Sequence, residues 1–553
     1  MDILIFPFLI SFYFLISGDL IRKKIFTNFK TDESIEYILS LFFLSNLFLF
    51  LNFFTSLNKF INSLVFLIPL IYIFFLNKKL IFKKLKISLI FSVFFALFIS
   101  FDNVNRPDAG LYHLPFISIL NENKIIFGSA NLHFRFGHTS ILQYLEAGFN
   151  NVIFKDHGIL LPKALFYFAI SKYFLKEFYL NINTKRNYFT ILSFLILFQI
   201  LYDMNRYSYH GNDIPAHLII YFVSYFFLRN SLSNFNNFFF ISLLCLFSFQ
   251  IKTTSLLMLI LPLTIVIFNK NKFGFFFKSR NIIILIFFSL WLIKNLFISG
   301  CLIFPIKQTC LSNIYWNSSL LPSNNDVYKV SEENEAWAKG WPDRKDSSLN
   351  YEGYLKSNWV VTWSKNHGKN VFLKKIIPLI ILILFIYFVN KNLYKNLNII
   401  PYYFKKNLVL FFILFFGFIL WFLKFPTYRY GSSYIVGSII FAQFYFFKNF
   451  LIGKKLKNFL KIFIIFTILI VCLKYLTRYD REKSIWPNIY SFTTKVQEPE
   501  KFKKVYKEDK FLYFNPGNKL CMYSSSPCTN IPTHSNINLK EIYGYKIYYL
   551  DFK

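Results

Sequence analysis

Residues 408–424 read LVLFFILFFGFILWFLK, an apolar run that meets no charged side chain before Lys424. A helix of about 20 such residues crosses the hydrocarbon core of a bilayer. Runs of this kind recur along the whole chain, and only helices or closed barrels satisfy their backbone hydrogen bonds in lipid. The sequence therefore predicts an all-α polytopic membrane protein.

The composition agrees with this class. Of the 553 residues, 16% are charged, whereas soluble domains hold about 25%. The formal net charge of +34 would by itself suit a nucleic-acid-binding protein. Because the Lys and Arg residues gather in short loops between apolar runs, we interpret them as orientation signals in a bilayer and expect no nucleic-acid partner.

The apolar segments predict about fourteen transmembrane helices. They cover residues 2–17, 34–55, 60–77, 86–101, 158–180, 187–202, 213–228, 236–250, 254–268, 281–298, 371–389, 408–424, 432–449 and 459–476. We interpret the first as a membrane span and not a signal peptide, because its basic residues follow the apolar run instead of preceding it.

Basic connections alternate with weakly charged ones, which predicts the orientation. The basic ones are 21–30, 77–86, 183–187, 269–280, 390–406 and 452–458. The positive-inside rule places them in the cytoplasm. The outer segments are then 102–157, 203–212, 299–370, 425–431 and 477–553. The chain thus divides into a transmembrane region, 1–476, and an extracytoplasmic C-terminal segment, 477–553, whose alternating pattern suits a small β-rich unit.

The segment 138–154, HTSILQYLEAGFNNVIF, is moderately apolar but carries Gln143 and Glu146. If it crossed the bilayer, every later loop would change sides and the basic loops would fall outside. We therefore predict a helix that lies at the outer interface.

Four of the six cysteines form two local pairs in outer segments, Cys301 with Cys310 and Cys521 with Cys528. Cysteines on an oxidising face favour disulfides. Neither pair has the CxxC spacing of a zinc site, so metal binding is the weaker alternative.

The motif RPDAGLYHLP, residues 106–115, follows the fourth predicted span. Its polar side chains include Arg106, Asp108, Tyr112 and His113, and Arg135 lies further along the same loop. Asp108 has two interpretations. It either caps the helix that starts at Ala109, or it performs chemistry at the membrane surface.

Other ionisable residues lie at predicted outer ends of helices: His210, Asp213, Lys252 and Arg429. Asp213 precedes Pro215 and suits a helix cap as well as a second acidic site residue. Lys252 at membrane depth either has a function or extends to the interface. Arg429 suits bidentate contact with a phosphate, or an ordinary interfacial position.

The sequence DAGLYHLP, followed by a predicted interfacial helix, resembles the first outer loop of GT-C membrane glycosyltransferases, most of all bacterial members related to the dolichyl-phosphate-mannose and lipid A aminoarabinose transferases. The resemblance implies a GT-C-like fold in the bacterial plasma membrane. It also implies transfer of a sugar from a polyprenyl-phosphate carrier to an outer-face lipid, glycan or protein.

By this resemblance Asp108 is the general base and Asp213 a second acidic catalytic residue. The remaining predicted residues would bind substrate: Arg106, Tyr112, His113, Arg135, His210, Lys252 and Arg429. No cofactor is firmly implied. A divalent cation is compatible with four histidines in one loop, although no compact metal-site spacing is present.

Two other functions stay open. The first is a flippase or transporter of lipid-linked glycans, whose polar residues would lie nearer the bilayer midplane. The second is an O-antigen polymerase or ligase, which relies on Arg-rich outer loops, whereas the loop 299–370 holds only Arg344.

Overall fold

Helices account for most of the described residues in the computed structural model of this chain. The structure describes residues 2–26, 29, 32–99, 108–184, 187–203, 211–268, 270–311, 313–317, 327–341, 350–390, 401–443, 447, 451–481, 502–530 and 537–550. Arg106 and His210 lie outside these residues, so their predicted roles stay predictions.

The helices follow the apolar runs of the sequence. In the first half they are α1 (Asp2–Ile25), α2 (Glu33–Asn52), α3 (Lys59–Tyr72), α4 (Lys78–Phe94), α5 (Leu114–Glu122), α6 (Ser129–Leu132), α7 (Ile141–Gly148), α8 (Leu161–Asn183), α9 (Asn187–Tyr202), α10 (Asp213–Arg229) and α11 (Phe235–Ile251). In the second half they are α12 (Ile260–Phe268), α13 (Asn281–Ser299), α14 (Val327–Ala338), α15 (Tyr351–Lys356), α16 (Trp359–Trp363), α17 (Lys369–Val371), α18 (Ile377–Asn390), α19 (Pro401–Lys424), α20 (Tyr428–Ala442) and α21 (Lys454–Arg481). Short 3-10 or π segments include Phe95–Ile99, Ala109–His113, Phe134–His138, Thr253–Leu259 and Phe372–Ile376.

Seven helical stretches among the described residues are long and apolar enough to cross a membrane. They are Ile3–Ile25, Glu33–Asn52, Lys155–Asn183, Asn281–Ser299, Trp359–Val389, Phe404–Lys424 and Lys454–Lys474. Four shorter apolar helices accompany them, at Lys59–Phe75, Asn187–Tyr202, Phe235–Ile251 and Thr253–Val266. The chain is thus a helical, multi-pass membrane protein.

By this measure the prediction of about fourteen spans was too high. Each predicted segment overlaps a helix, but several of these helices are short, such as α9 with 16 residues and α20 with 15. Helices of that length fall below the about 20 residues that cross a bilayer without local thinning. Apolar composition predicted where the helices lie. The number of helices that cross the whole bilayer depends on helix length as well.

Paired charges join the helices at what we term the first end of the bundle. Lys84 of α4 is fully buried, and its Nζ lies 2.5 Å from Glu36 Oε2 of α2. Asp19 of α1 is also buried and lies 2.5 Å from Arg22 Nη2. An isolated buried charge costs several kcal/mol, so such charges persist only as hydrogen-bonded pairs. Arg22 Nε also lies 3.3 Å from Glu36 Oε1, so these contacts tie α1, α2 and α4 together.

The helix α10 (Asp213–Arg229) ends at the first end of the bundle and starts at the opposite end, which we term the second end. At its last residue, Arg229 Nε lies 3.3 Å from Glu177 Oε2 of α8. The nearby Lys172 of α8 pairs with Asp32 at the start of α2, 3.1 Å away. The start of α10, at Asp213, therefore lies at the second end.

The segment 138–154 differs from its prediction as an interfacial helix. Its helix α7 spans eight residues, all of them buried. Glu146 Oε1 lies 2.7 Å from Lys163 Nζ of α8, and both side chains are shielded from solvent. Because this distant lysine neutralises Glu146, the helix packs inside the protein instead of on a membrane surface.

The C-terminal segment forms two antiparallel hairpins. Strand β1 (Lys503–Lys507) pairs with β2 (Lys510–Asn515), and β3 (Ile537–Ile542) pairs with β4 (Tyr545–Leu550). Disulfides join Cys521 to Cys528 in this segment and Cys301 to Cys310 after α13.

We predict that Lys84→Met lowers the stability of the protein by about 3 kcal/mol, because it leaves the Glu36 carboxylate buried without its closest partner. Thermal unfolding in detergent micelles measures the effect. Lys79→Met is the matched control, because Lys79 lies exposed on the same helix. The double variant Lys84→Met/Glu36→Met should recover part of the loss. Equal unfolding temperatures for the two single variants would contradict the prediction.

Candidate functional site

Five charged side chains from separate parts of the chain converge at the second end. We term Asp108, Arg135, Asp213, Lys252 and Arg429 the charged cluster. Asp108 precedes the helical segment Ala109–His113, and Arg135 lies in the turn Phe134–His138. Asp213 starts α10, Lys252 follows α11, and Arg429 lies in the first turn of α20. All five were predicted site residues.

Asp108 lies between two guanidinium groups. Its Oδ1 is 4.0 Å from Arg135 Nη1 and its Oδ2 is 3.6 Å from Arg429 Nη1. These distances exceed hydrogen-bonding range, and 38% of the side chain is exposed. The backbone of Asp108 is helical and its side chain makes no capping hydrogen bond. The capping interpretation of Asp108 is therefore wrong.

Asp213 is more enclosed and is in direct contact with Lys252. Its Oδ1 contacts Lys252 Nζ, and its side chain is 12% exposed. The helix cap is Asn212, so Asp213 is not the capping residue either. Lys252 reaches this position because α11 ends there in an extended residue before the helix resumes at Thr253.

Burial lowers the pKa of Lys252, the nearby Arg429 lowers it further, and Asp108 opposes the shift. Contact with Asp213 favours the charged form of this amine. Its Nζ also lies 4.2 Å from the centre of the Tyr430 ring, where a cation is stabilised by the π face. Lys252 and Asp213 thus form one unit of zero net charge.

Arg429 is held by its neighbours but keeps free donors. Its Nη2 donates to the Tyr430 hydroxyl over 2.6 Å, and Nε is buried without a hydrogen-bond partner among the described residues. Its backbone carbonyl accepts a 2.9 Å hydrogen bond from His217 Nε2, and His217 Nδ1 lies 2.8 Å from Ser433 Oγ. The buried His217 of α10 therefore fixes the start of α20.

Aromatic rings surround these charges. The Arg135 guanidinium lies 4.8 Å from the centre of the Tyr112 ring, and that of Arg429 lies 5.5 Å from Trp337. Burial raises the pKa of the Tyr112 hydroxyl, with a further rise from Asp108, so the phenol keeps its proton. His113 packs behind Tyr112, with ring centres 4.3 Å apart.

Sequence reasoning missed three residues around the cluster: Lys294, Trp337 and Tyr430. Lys294 is fully buried in α13, where its Nζ donates to Thr139 Oγ1 over 2.8 Å. An ionisable residue inside an apolar run is a signal that could have found it. Trp337 has no such signal, because only the folded chain brings it to Arg429.

A second polar group lies near the cluster and was also missed. Asp203, at the end of α9, lies 2.5 Å from Lys375 Nζ. It accepts hydrogen bonds from Tyr428 (2.9 Å) and from Gln199 (2.6 Å). Because this carboxylate has three protein partners, its role is structural: it joins α9, α20 and the segment that leads into α18.

Within the described ranges, no group of three or more His, Cys, Asp or Glu residues is arranged to hold a metal ion.

Fold and site together define a polytopic helical membrane protein with a charged, aromatic-lined cluster at one end of its bundle. Residues 1–436 match the family model described as a domain of unknown function, DUF8201, and the chain belongs to that family. The matched range includes all five residues of the charged cluster. No curated protein and no solved structure matches the chain. The resemblance to GT-C transferases stays a prediction.

His133 provides a test of the turn that carries Arg135. Its Nδ1 accepts a 3.1 Å hydrogen bond from the Arg135 backbone N–H. Burial lowers its pKa to about 3, with a smaller contribution from Arg135, so the folded protein holds the imidazole neutral. The unfolded chain takes up a proton below about pH 6.5. Stability therefore falls as the pH decreases from that value toward 3.

We predict that His133→Asn reduces this pH dependence while keeping an acceptor for the Arg135 N–H. Between pH 6.5 and pH 5 the wild-type protein should lose about 1.6 kcal/mol in total through this group. Unfolding temperatures measured across that range for both proteins give the comparison. Parallel curves would show that His133 does not titrate as described.

Proposed function

We propose that this chain is an integral membrane glycosyltransferase of GT-C-like architecture. It moves a sugar from a polyprenyl-phosphate carrier to an acceptor on the outer face of a bacterial plasma membrane. The observation that supports this most is the position of Asp108, a half-exposed carboxylate between two guanidinium groups, beyond hydrogen-bonding distance of either.

The charge of the cluster suits a phosphodiester. The charges of Lys252 and Asp213 cancel. Two positive guanidinium groups, Arg135 and Arg429, then face one negative carboxylate, Asp108, which leaves a net charge of about +1. A sugar bound to a polyprenyl phosphate carries about one negative charge. Arginine is suited to binding phosphate oxygens in pairs, and Arg429 Nε has no protein partner among the described residues.

In the proposed reaction, Asp108 accepts the proton of the acceptor hydroxyl or amine. The acceptor atom attacks the anomeric carbon, and the bond from that carbon to the phosphate oxygen breaks. Arg135 and Arg429 stabilise the charge on the departing phosphate. Asp213 is less suited to be the base, because it is more enclosed and contacts Lys252. It would hold that lysine in position.

The aromatic residues suit the sugar. Trp337 is 45% exposed next to Arg429, so an apolar ring face is presented beside the proposed phosphate position. Tyr112 and His113 would line the opposite side. No divalent cation is needed in this scheme, although one is compatible with it.

In the proposed topology the shorter apolar helices also cross the bilayer, at points where it is thinner. The second end of the bundle is then the outer face, and the first end, with the exposed side chains of Lys23 and Lys83, is cytoplasmic. The charged cluster lies at helix ends and not midway along the helices, which favours an outer-face enzyme over a flippase.

We predict that Asp108→Asn lowers sugar transfer at least about 100-fold, because the amide cannot accept the acceptor proton. The assay follows loss of labelled sugar from a panel of polyprenyl-phosphate sugars in membranes that contain the protein. Asp156→Asn, a change in the same loop away from the cluster, is the control. Full activity of the Asp108 variant at equal protein level would remove this residue from the mechanism.

For Arg429 we expect the shape of the cation to matter. Arg429→Lys keeps the charge but loses the paired donors, so KM for the donor should rise about tenfold. Arg429→Gln should lose most activity. Arg280→Lys, at the first end of the bundle, serves as the control. A donor KM equal to that of the wild type in Arg429→Lys would argue against phosphate binding by this residue.

A further inference from the structure

The disulfide loop 521–528 lies along the segment that carries Asp108. The Met522 backbone N–H donates to the Gly110 carbonyl over 2.9 Å, two residues after Asp108. Further along, the Tyr523 hydroxyl donates to Asn121 Oδ1 over 2.8 Å. The Ser526 N–H and hydroxyl both donate to Glu122 Oε2, over 2.9 and 3.0 Å. These contacts follow the segment from Gly110 to the end of α5.

The close approach at Gly110 depends on the absence of a side chain. A Cβ atom there would lie 2.3 Å from Met522 Sδ and 3.1 Å from Leu520 Cβ, so the Met522 side chain would have to move and Leu520 to shift by a few tenths of an ångström. Glycine at this position therefore allows the loop to pack directly on the backbone beside Asp108.

A second part of the C-terminal segment holds the chain that leads to Arg135. The Phe127 N–H donates to the Lys546 carbonyl over 3.0 Å, and the Tyr548 N–H donates to the Phe127 carbonyl over 2.9 Å. The Asn131 side-chain amide donates to the Tyr548 carbonyl, also over 2.9 Å. Gly128 has a φ of +63°, and a Cβ there would lie 2.1 Å from the Tyr548 oxygen.

The loop and the strand are joined within the C-terminal segment itself. Cys521 and Cys528 are buried and bonded. The Phe514 N–H of β2 donates to the Pro527 carbonyl over 2.9 Å. The Tyr548 hydroxyl of β4 donates to the Leu512 carbonyl of β2 over 2.8 Å. One small disulfide-bonded unit thus contacts both segments that carry the Asp108–Arg135 pair.

We infer that residues 502–530 and 537–550 form a positioning unit that sets the distance between Asp108 and Arg135. Met522 and Tyr548 are its positioning residues, since neither belongs to the charged cluster. The two charges lie on separate stretches of the chain, and small movements of either stretch would change their 4.0 Å separation. The effect on catalysis rests on the proposed function, whereas the effect on local order does not.

The first test is hydrogen exchange of the full-length protein in detergent micelles. In Cys521→Ser/Cys528→Ser, amides of residues 108–123 should exchange about tenfold faster, because the loop that covers them loses its constraint. Gly110→Ala should have the same effect by displacing Met522. Amides of α2 should be unchanged, which shows that the bundle stays folded. Cys301→Ser/Cys310→Ser is the matched control and should leave residues 108–123 unaffected. Unchanged exchange of residues 108–123 in both Cys521→Ser/Cys528→Ser and Gly110→Ala would overturn the inference.

The second test uses the transfer assay. Misplacement of a catalytic group by about 1 Å lowers the rate about 100-fold, so kcat of the double serine variant should fall while KM for the donor stays within about twofold. Met522→Leu, which keeps the packing volume, should retain kcat. Faster exchange with an unchanged kcat would also overturn the inference. If the wild type transfers no sugar, the proposed function fails, and the exchange result alone then decides whether the unit orders residues 108–123.

Discussion

A charge inside a membrane-spanning bundle is costly unless an opposite charge, a hydrogen-bonding group or water lies beside it. The two ends of this bundle satisfy that constraint in different ways. At the first end, Lys84 and Glu36 are fully paired and buried, which fixes three helices against one another. At the second end, Asp108 stays half-exposed and beyond hydrogen-bonding distance of its two arginines. The first end uses its charges for structure, whereas the second end leaves one carboxylate, that of Asp108, open to solvent.

This contrast separates the two acidic residues of the charged cluster. Asp213 contacts Lys252 directly and is largely enclosed, so its charge serves the lysine. Asp108 has no such contact, and its carboxylate is the one that an incoming group can reach. His217 also stabilises this arrangement. Its hydrogen bond to the Arg429 carbonyl joins α10, the helix of Asp213, to α20, the helix of Arg429.

Local composition predicted the positions of the helices well, and α9 has the bounds 187–202 that its apolar run indicated. It overestimated the number of full spans, because apolar character says little about how far a helix extends. It wrongly placed α7 at the membrane interface, because the local sequence shows Glu146 but not its partner Lys163, which belongs to another helix. The ionisable residues Asp108, Arg135, Asp213, Lys252 and Arg429 each stood out as polar positions at helix ends. Their convergence depends on tertiary packing, which no single stretch of sequence encodes.

The attachment of the C-terminal segment at Phe127 consists of main-chain hydrogen bonds to Lys546 and Tyr548. Main-chain groups are the same in every residue, so this joint places almost no demand on the side chains of β4. The demand falls instead on Gly110 and Gly128, which lie within the range that matches the family. The strand β4 is thus held at Phe127 mainly through its main chain, whereas the loop 521–528 also depends on its own side chains, those of Tyr523 and Ser526. Changes of sequence should therefore be tolerated more readily in the strand than in the loop.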